Sequence, residues 1–166
     1  MRKRVAIIGA AAISALLLCS LIGPQKRFIW NRTNSAPIGL YGLKNDPLSY
    51  GDWVIVSAQS QQALWAFEHG FIGSDWPLIK SVAGVPGDEI CRNGQEIKIN
   101  KTMAAKALLV DFRERDLPVW SGCHLLKPGE VFLLNDHANS LDGRYFGVTK
   151  AEDVDGVAVL LFELKR

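Results

Sequence analysis

Residues 5–23 carry no charged side chain, and they follow directly on Met1-Arg2-Lys3-Arg4. A helix over such a run is about 28 Å long, which matches the hydrocarbon core of a bilayer. The stretch therefore predicts a membrane anchor at 1–23, with lipid contacts through residues 5–23, and leaves 24–166 for one domain. A cleavable secretory leader is the rival reading. It calls for a shorter apolar region and a small-x-small site, and no convincing one precedes Pro24. A lipobox would need a small residue before Cys19, where Leu18 stands. Phe28 and Trp30 suit the interface just past the span. Lys26, Arg27 and Arg32 balance the three leading basic residues, so the positive-inside bias is weak. The short leader still favours the N-terminus inside and the domain outside.

Of 19 Lys and Arg against 17 Asp and Glu, three precede the uncharged run, so the remainder carries a net charge of −1. A nucleic-acid binder of this size shows a basic face or stripe. None is present, and no nucleic-acid partner is expected.

The domain reads as mostly β. Asp52–Ser57 is an apolar run after Tyr50-Gly51 and predicts a buried strand. Ser60 caps a short helix that is expected to run through Phe71, with Ala63, Leu64, Phe67 and Phe71 on one face and Gly70 near its end. Within it His69 reads as a helix-end or surface residue. Leu78–Val82 predicts a strand that places Leu78, Lys80 and Val82 on one face, followed by a turn at Pro86-Gly87. A lysine between two apolar neighbours is commonly an edge residue that snorkels. The alternative is a dry lysine of lowered pKa that can act as a base.

Residues 90–125 read as a small β subdomain with a hairpin at Asn93-Gly94. Cys91 and Cys123 either pair, if this part is extracytoplasmic, or remain two buried thiols. Cys123-His124 lacks zinc-ligand spacing. Lys127–Glu130 predicts a turn and Val131–Leu134 a buried strand. Asn135–Gly147 is a polar loop in which an extended backbone would aim Ser140, Asp142 and Arg144 the same way, and Asp142 and Arg144 could pair. The segment from Asp153 to Leu164 closes the chain as a strand.

The stretch Asn31-Arg-Thr-Asn-Ser-Ala-Pro-Ile-Gly-Leu-Tyr41 holds Ser35 two residues before Pro37. Pro37 fixes its own φ and pushes Ala36 to an extended backbone, and Gly39 permits a close turn. Alone, this composition suits a linker. Ser35 with Pro37, then Ile79-Lys80 running into Gly84-Val-Pro-Gly-Asp88, then Asn139-Ser-Leu-Asp-Gly-Arg-Tyr145 together resemble the type I signal peptidase family (serine peptidase family S26). The likeness is closest to its conjugative-transfer branch, the TraF-type peptidases, in the Asn31–Tyr41 block, the single anchor and the small size.

The resemblance implies a signal-peptidase-like β-fold with a small β subdomain, one short helix and an N-terminal transmembrane helix. It implies a Ser35–Lys80 dyad, with Ser35 as nucleophile and Lys80 as general base. Ser140 would orient the lysine, Asp142 and Arg144 would support the site, and Thr33 would add a hydroxyl to the oxyanion hole beside the Ser35 amide. No cofactor or metal is implied. The substrate would be an exported precursor, on this branch a conjugative pilin subunit, cut by a single-pass enzyme of the bacterial inner membrane whose catalytic domain lies in the periplasm. A general secretory signal peptidase and a non-enzymatic anchored scaffold are the alternatives. This chain departs from the general enzymes in three places. It has Asn135-Asp136-His137 where they have Gly-Asp-Asn, it has Gly143-Arg144 where they have Ser-Arg, and its serine lies one residue nearer the proline.

The chemistry is consistent on its own terms. A serine hydroxyl needs a base in reach and donors aimed at the developing oxyanion, and Ser-Lys is a known variant of the triad. A Ser-His-Asp site would have to use His124 or His137. His137 has Asp136 as its sequence neighbour, and adjacent residues seldom face one another in a strand. No Gly-x-Ser-x-Gly elbow is present.

Overall fold

The computed structural model describes residues 28–164. The anchor expected at 1–23 lies outside them, and no helix among the described residues is long and apolar enough to cross a membrane. The elements in chain order are β1 (Phe28–Asn31), β2 (Gly39–Lys44), β3 (Trp53–Val56), α1 (Gln61–Glu68), β4 (Leu78–Gly84), β5 (Glu89–Asn93), β6 (Glu96–Ile99), β7 (Thr102–Lys106), β8 (Gly122–Leu125), β9 (Glu130–Leu133), α2 (Gly143–Phe146), β10 (Thr149–Lys150) and β11 (Val154–Glu163). The described residues are mostly β, as expected, with two short α-helices among them rather than one.

Two antiparallel sheets result. The larger runs β1-β2-β11-β3-β4-β9-β10 and the smaller runs β7-β6-β5-β8. In the larger sheet β3 and β4 are central and buried on both faces, which is why both are continuous apolar runs. Val54, Val56, Leu78, Val82, Val131 and Leu133 pack on one side with Ala63 of α1. Ile55, Ile79, Tyr41, Ala158 and Ala36 pack on the other. The β3–β4 register sets Lys80 opposite Val54, so the lysine enters the first of these apolar layers.

Helix α1 is shorter than expected and turns a different face inward. Ser60 caps it as predicted, accepting from the Ala63 amide, but the helix stops at Glu68. His69 forms its exposed C-cap, and Gly70 follows at φ 70°. Its buried residues are Ala63 and Ala66, while Leu64 and Phe67 stay 41% and 46% exposed. The two alanines let the helix lie close on the sheet, and that approach fixes the face.

Gly39 opens β2 opposite Asn31 rather than forming a turn. A Cβ there would come within 1.9 Å of the Phe162 carbonyl oxygen on β11, so only glycine allows this approach. In the smaller sheet β5 and β8 place Cys91 directly opposite Cys123, and the two form a disulfide.

Candidate active site

Ser35 sits in the connection 32–38 that joins the hairpin strands β1 and β2. Asn31, the last residue of β1, shapes that connection from the inside. Its Nδ2 donates to the carbonyls of Thr33 (2.9 Å), Ala36 (3.1 Å) and Pro37 (3.0 Å), and its Oδ1 accepts from the Thr33 amide (3.1 Å) and hydroxyl (3.0 Å). Tyr41 Oη adds a bond to the Pro37 carbonyl at 2.7 Å. The connection is thus held largely by side chains, and Ser35 is presented half-buried at its bend.

Ser35 and Lys80 line one cavity of about 660 Å³, together with Thr33, Ser140 and His137. Ser35 Oγ lies 3.5 Å from Thr33 Oγ1. Thr33 has one hydroxyl proton and gives it to Asn31 Oδ1, so it accepts from Ser35. Lys80 is 5% exposed and donates to Ser140 Oγ at 3.1 Å. No hydrogen bond joins Ser35 Oγ to Lys80 Nζ among the described residues. Burial lowers the Lys80 pKa from 10.5 to about 8, with Asp142 pulling it up and Arg144 pushing it down.

Asp142 and Arg144 stand behind this layer rather than in the cavity lining. Arg144 Nε lies 2.9 Å from Asp142 Oδ1, with both side chains buried. The contact is an ion pair by distance, but the Nε proton is not aligned for a hydrogen bond. Arg144 spends its Nη protons on the carbonyls of Ala138 (2.9 Å), His137 (3.3 Å) and Asn135. Burial raises the Asp142 pKa, opposed by Arg144 and Lys80 and by the amides of Asn135 and Arg144 that it accepts.

The backbone around this pair is not the extended segment expected from the alternation of Ser140, Asp142 and Arg144. Asp142 instead caps α2 and accepts from the Arg144 amide at 3.2 Å. A capped turn places i and i+2 on one inward side as well as a strand does, and the sequence pattern alone does not separate the two. All three residues are buried.

In the sequence Asn135 stands out only as a departure from the general enzymes. It is 1% exposed, and its amide reaches both Ser35 and the β4 backbone. A strongly polar residue directly after the apolar run Val131–Leu134 was its one local signal. Of the two histidines weighed as bases, His124 pairs with Glu130 at 2.8 Å, away from the cavity. His137 is exposed at the cavity, where its Nδ1 takes the Asn139 amide at 3.2 Å.

The sequence matches the family Signal peptidase, peptidase S26, over residues 1–163. It is 31% identical over 156 residues to the plasmid transfer protein TraF of Escherichia coli, covering 87% of this chain and 86% of that protein. It is 29% identical over 181 residues to the conjugal transfer protein TraF of Agrobacterium fabrum strain C58, covering 98% of each. Among solved structures it is similar to a signal peptidase I from Enterococcus faecalis V583, with 18% identity and a TM-score of 0.40, covering 69% of this chain and 98% of that one.

Proposed function

The chain belongs to the signal peptidase family, peptidase S26, and from that premise we propose that it is a membrane-anchored serine endopeptidase working through a Ser35–Lys80 dyad. Its substrate is an exported precursor, in this reading a conjugative pilin subunit; the names of its TraF relatives support the setting, plasmid and conjugal transfer. The observation that carries the dyad is the dry lysine. Lys80 is buried, its pKa falls to about 8, and it shares a cavity with the one serine of the Asn31–Tyr41 stretch. An ordinary lysine, with a pKa near 10.5, is almost wholly protonated at neutral pH and can take no proton.

In this reading neutral Lys80 accepts the Ser35 proton as Oγ attacks the scissile carbonyl. The oxyanion that forms is met by the Ser35 amide, which donates to no other group among the described residues. Thr33 joins it by turning its hydroxyl from Asn31. Lys80 then passes the proton to the leaving amine. The acyl ester on Ser35 is released by water, with Lys80 again the base. Catalytic hydrogen bonds are often long in unliganded enzymes and tighten when substrate binds, which accommodates the missing Ser35–Lys80 bond. Residues 1–23 anchor the enzyme and 24–166 form the extracytoplasmic peptidase domain, its smaller sheet the subdomain expected at about 90–125. The Cys91–Cys123 disulfide supports an oxidising compartment such as the periplasm.

The test is mass spectrometry of the pilin subunit from cells carrying the wild-type chain, no chain, or Ser35→Ala. Mature subunit is expected only with the wild type. Normal maturation with Ser35→Ala would remove the dyad, and normal maturation with no chain would remove the substrate.

A further inference from the structure

We infer that Asn135 is a positioning residue, whose side-chain amide clamps the carbonyl of Ser35 to the β4 backbone on both sides of Lys80. The inference rests on the dyad reading and extends it to what fixes the approach of its two members.

Strand β9 pairs with β4 only at Val82 and Gly84. Past that point β4 would show an open edge beside Lys80. The Leu134 amide first donates to the Ser81 carbonyl at 2.9 Å. The Asn135 side chain then stands in for the next peptide. Its Oδ1 accepts from the Ser81 amide at 3.0 Å and its Nδ2 donates to the Ile79 carbonyl at 3.1 Å. Ile79 and Ser81 are the two neighbours of Lys80, so these bonds fix the lysine backbone.

The second Nδ2 proton goes to the Ser35 carbonyl at 2.8 Å. A primary amide has two protons to donate, and here one is spent on the carbonyl of Ser35 and the other on the peptide carbonyl that precedes Lys80. Asn135 is itself held in place. Its amide donates to Asp142 Oδ2 at 3.1 Å, and Arg144 donates to its carbonyl. The buried Asp142–Arg144 pair therefore reaches the dyad through Asn135. Proton transfer tolerates little misplacement, and an error of about 1 Å can cost about a hundredfold in rate.

The test uses the full chain in detergent micelles and a fluorogenic peptide with Ala at the residue before the cut and two before it. The rate is followed across the titration of Lys80. In Asn135→Ala the plateau kcat is expected to fall about a hundredfold, with KM held within about threefold and the acid limb unmoved. Asn135→Asp keeps the shape and the bond to Ser81 but has no proton for Ser35 or Ile79, so it is expected to lose the plateau as well. A plateau within about threefold of wild type in either variant overturns the inference. So does an acid limb in Asn135→Ala that moves up to the ordinary lysine value, since Asn135 would then only be keeping the lysine dry. Loss of cooperative melting in both variants makes Asn135 structural and overturns it equally. Ser35→Ala and Lys80→Met run beside them. If those two still cleave, the dyad reading fails. If they are dead while the Asn135 variants are normal, only this inference fails.

Discussion

Lys80 Nζ donates to Ser140 Oγ at 3.1 Å, and that contact joins the centre of the large sheet to the loop leading into α2. Ser140 is itself 2% exposed, with its amide on the His137 carbonyl at 2.9 Å. The amine is thus held in one direction by a hydroxyl that is fixed in turn.

Removing that hydroxyl leaves the buried amine with no hydrogen-bond partner among the described residues. Ser140→Ala should fold and lose about ten- to a hundredfold in kcat/KM, since the lysine is then free to turn. Peptide cleavage with a thermal melt in parallel checks it. A rate within a factor of about two, with an unchanged melt, would take Ser140 out of the site.

Gly143 explains one departure from the general enzymes, which carry serine in its place. A Cβ at Gly143 would lie 2.6 Å from the Leu133 carbonyl oxygen and 2.7 Å from the Phe132 ring. Neither can move cheaply, because Phe132 is wholly buried and Leu133 ends β9. Gly143→Ala should therefore destabilise the domain by about 1–3 kcal/mol and displace Asp142 and Arg144 on either side. Urea unfolding would measure the first effect and kcat the second. A variant as stable as wild type would show that α2 has slack the packing does not suggest.

Where the chain could be read in sequence, the signal was local. The apolar runs gave β3, β4, β9 and β11, Asn93-Gly94 gave the β5–β6 hairpin, and Ser60 gave the start of α1. The three boxes that hold Ser35, Lys80 and Ser140 converge on one cavity. What escaped has no local pattern. Asn135 meets Ser35 across 100 positions and Ile79 across 56, and nothing near Asn135 announces either partner. Asn31 stood in the recognised block, but its amide works through backbone carbonyls whose identity leaves no trace in the sequence. Helix α2 has only four residues, too few for a helical period. In α1 the obvious apolar face lost to alanines, because closeness to the sheet mattered more than side-chain size.

The disulfide joins β5 to β8 across a separation of 32 residues. Closing a loop of that length in the unfolded chain stabilises the fold by about 3–4 kcal/mol. Replacing Cys91 and Cys123 together by Ala should lower unfolding stability by about that much in non-reducing buffer, and the difference from wild type should vanish when reductant is added to both. Equal stability of the two proteins before reduction would mean that the smaller sheet does not need its covalent tie.

Lys80 links activity and stability to pH in opposite senses. Its pKa is about 8, so roughly a tenth of it is free base at pH 7 and most of it at pH 9, and kcat/KM should rise about tenfold over that interval. The stability effect follows from the same shift. The folded pKa is depressed below the unfolded value of 10.5, so between pH 8 and 10.5 the unfolded chain binds more protons than the folded one. Stability therefore rises with pH through that window and is lowest, through this residue, below it. The shift corresponds to about 3 kcal/mol, the cost of burying the charged amine. Lys80→Met removes that cost while leaving Ser140 without a partner, worth about 1 kcal/mol in the other direction. The variant should be inactive yet about 2 kcal/mol more stable than wild type at pH 7, with the advantage closing as pH climbs past the wild-type folded pKa. Lys80→Arg should be inactive without that gain, since a guanidinium stays protonated. Denaturant unfolding of the three proteins at a series of pH values decides it. A Lys80→Met domain no more stable than wild type at pH 7, or one whose advantage does not narrow with rising pH, would show that the buried lysine carries no such penalty and is no better a base than a lysine in water.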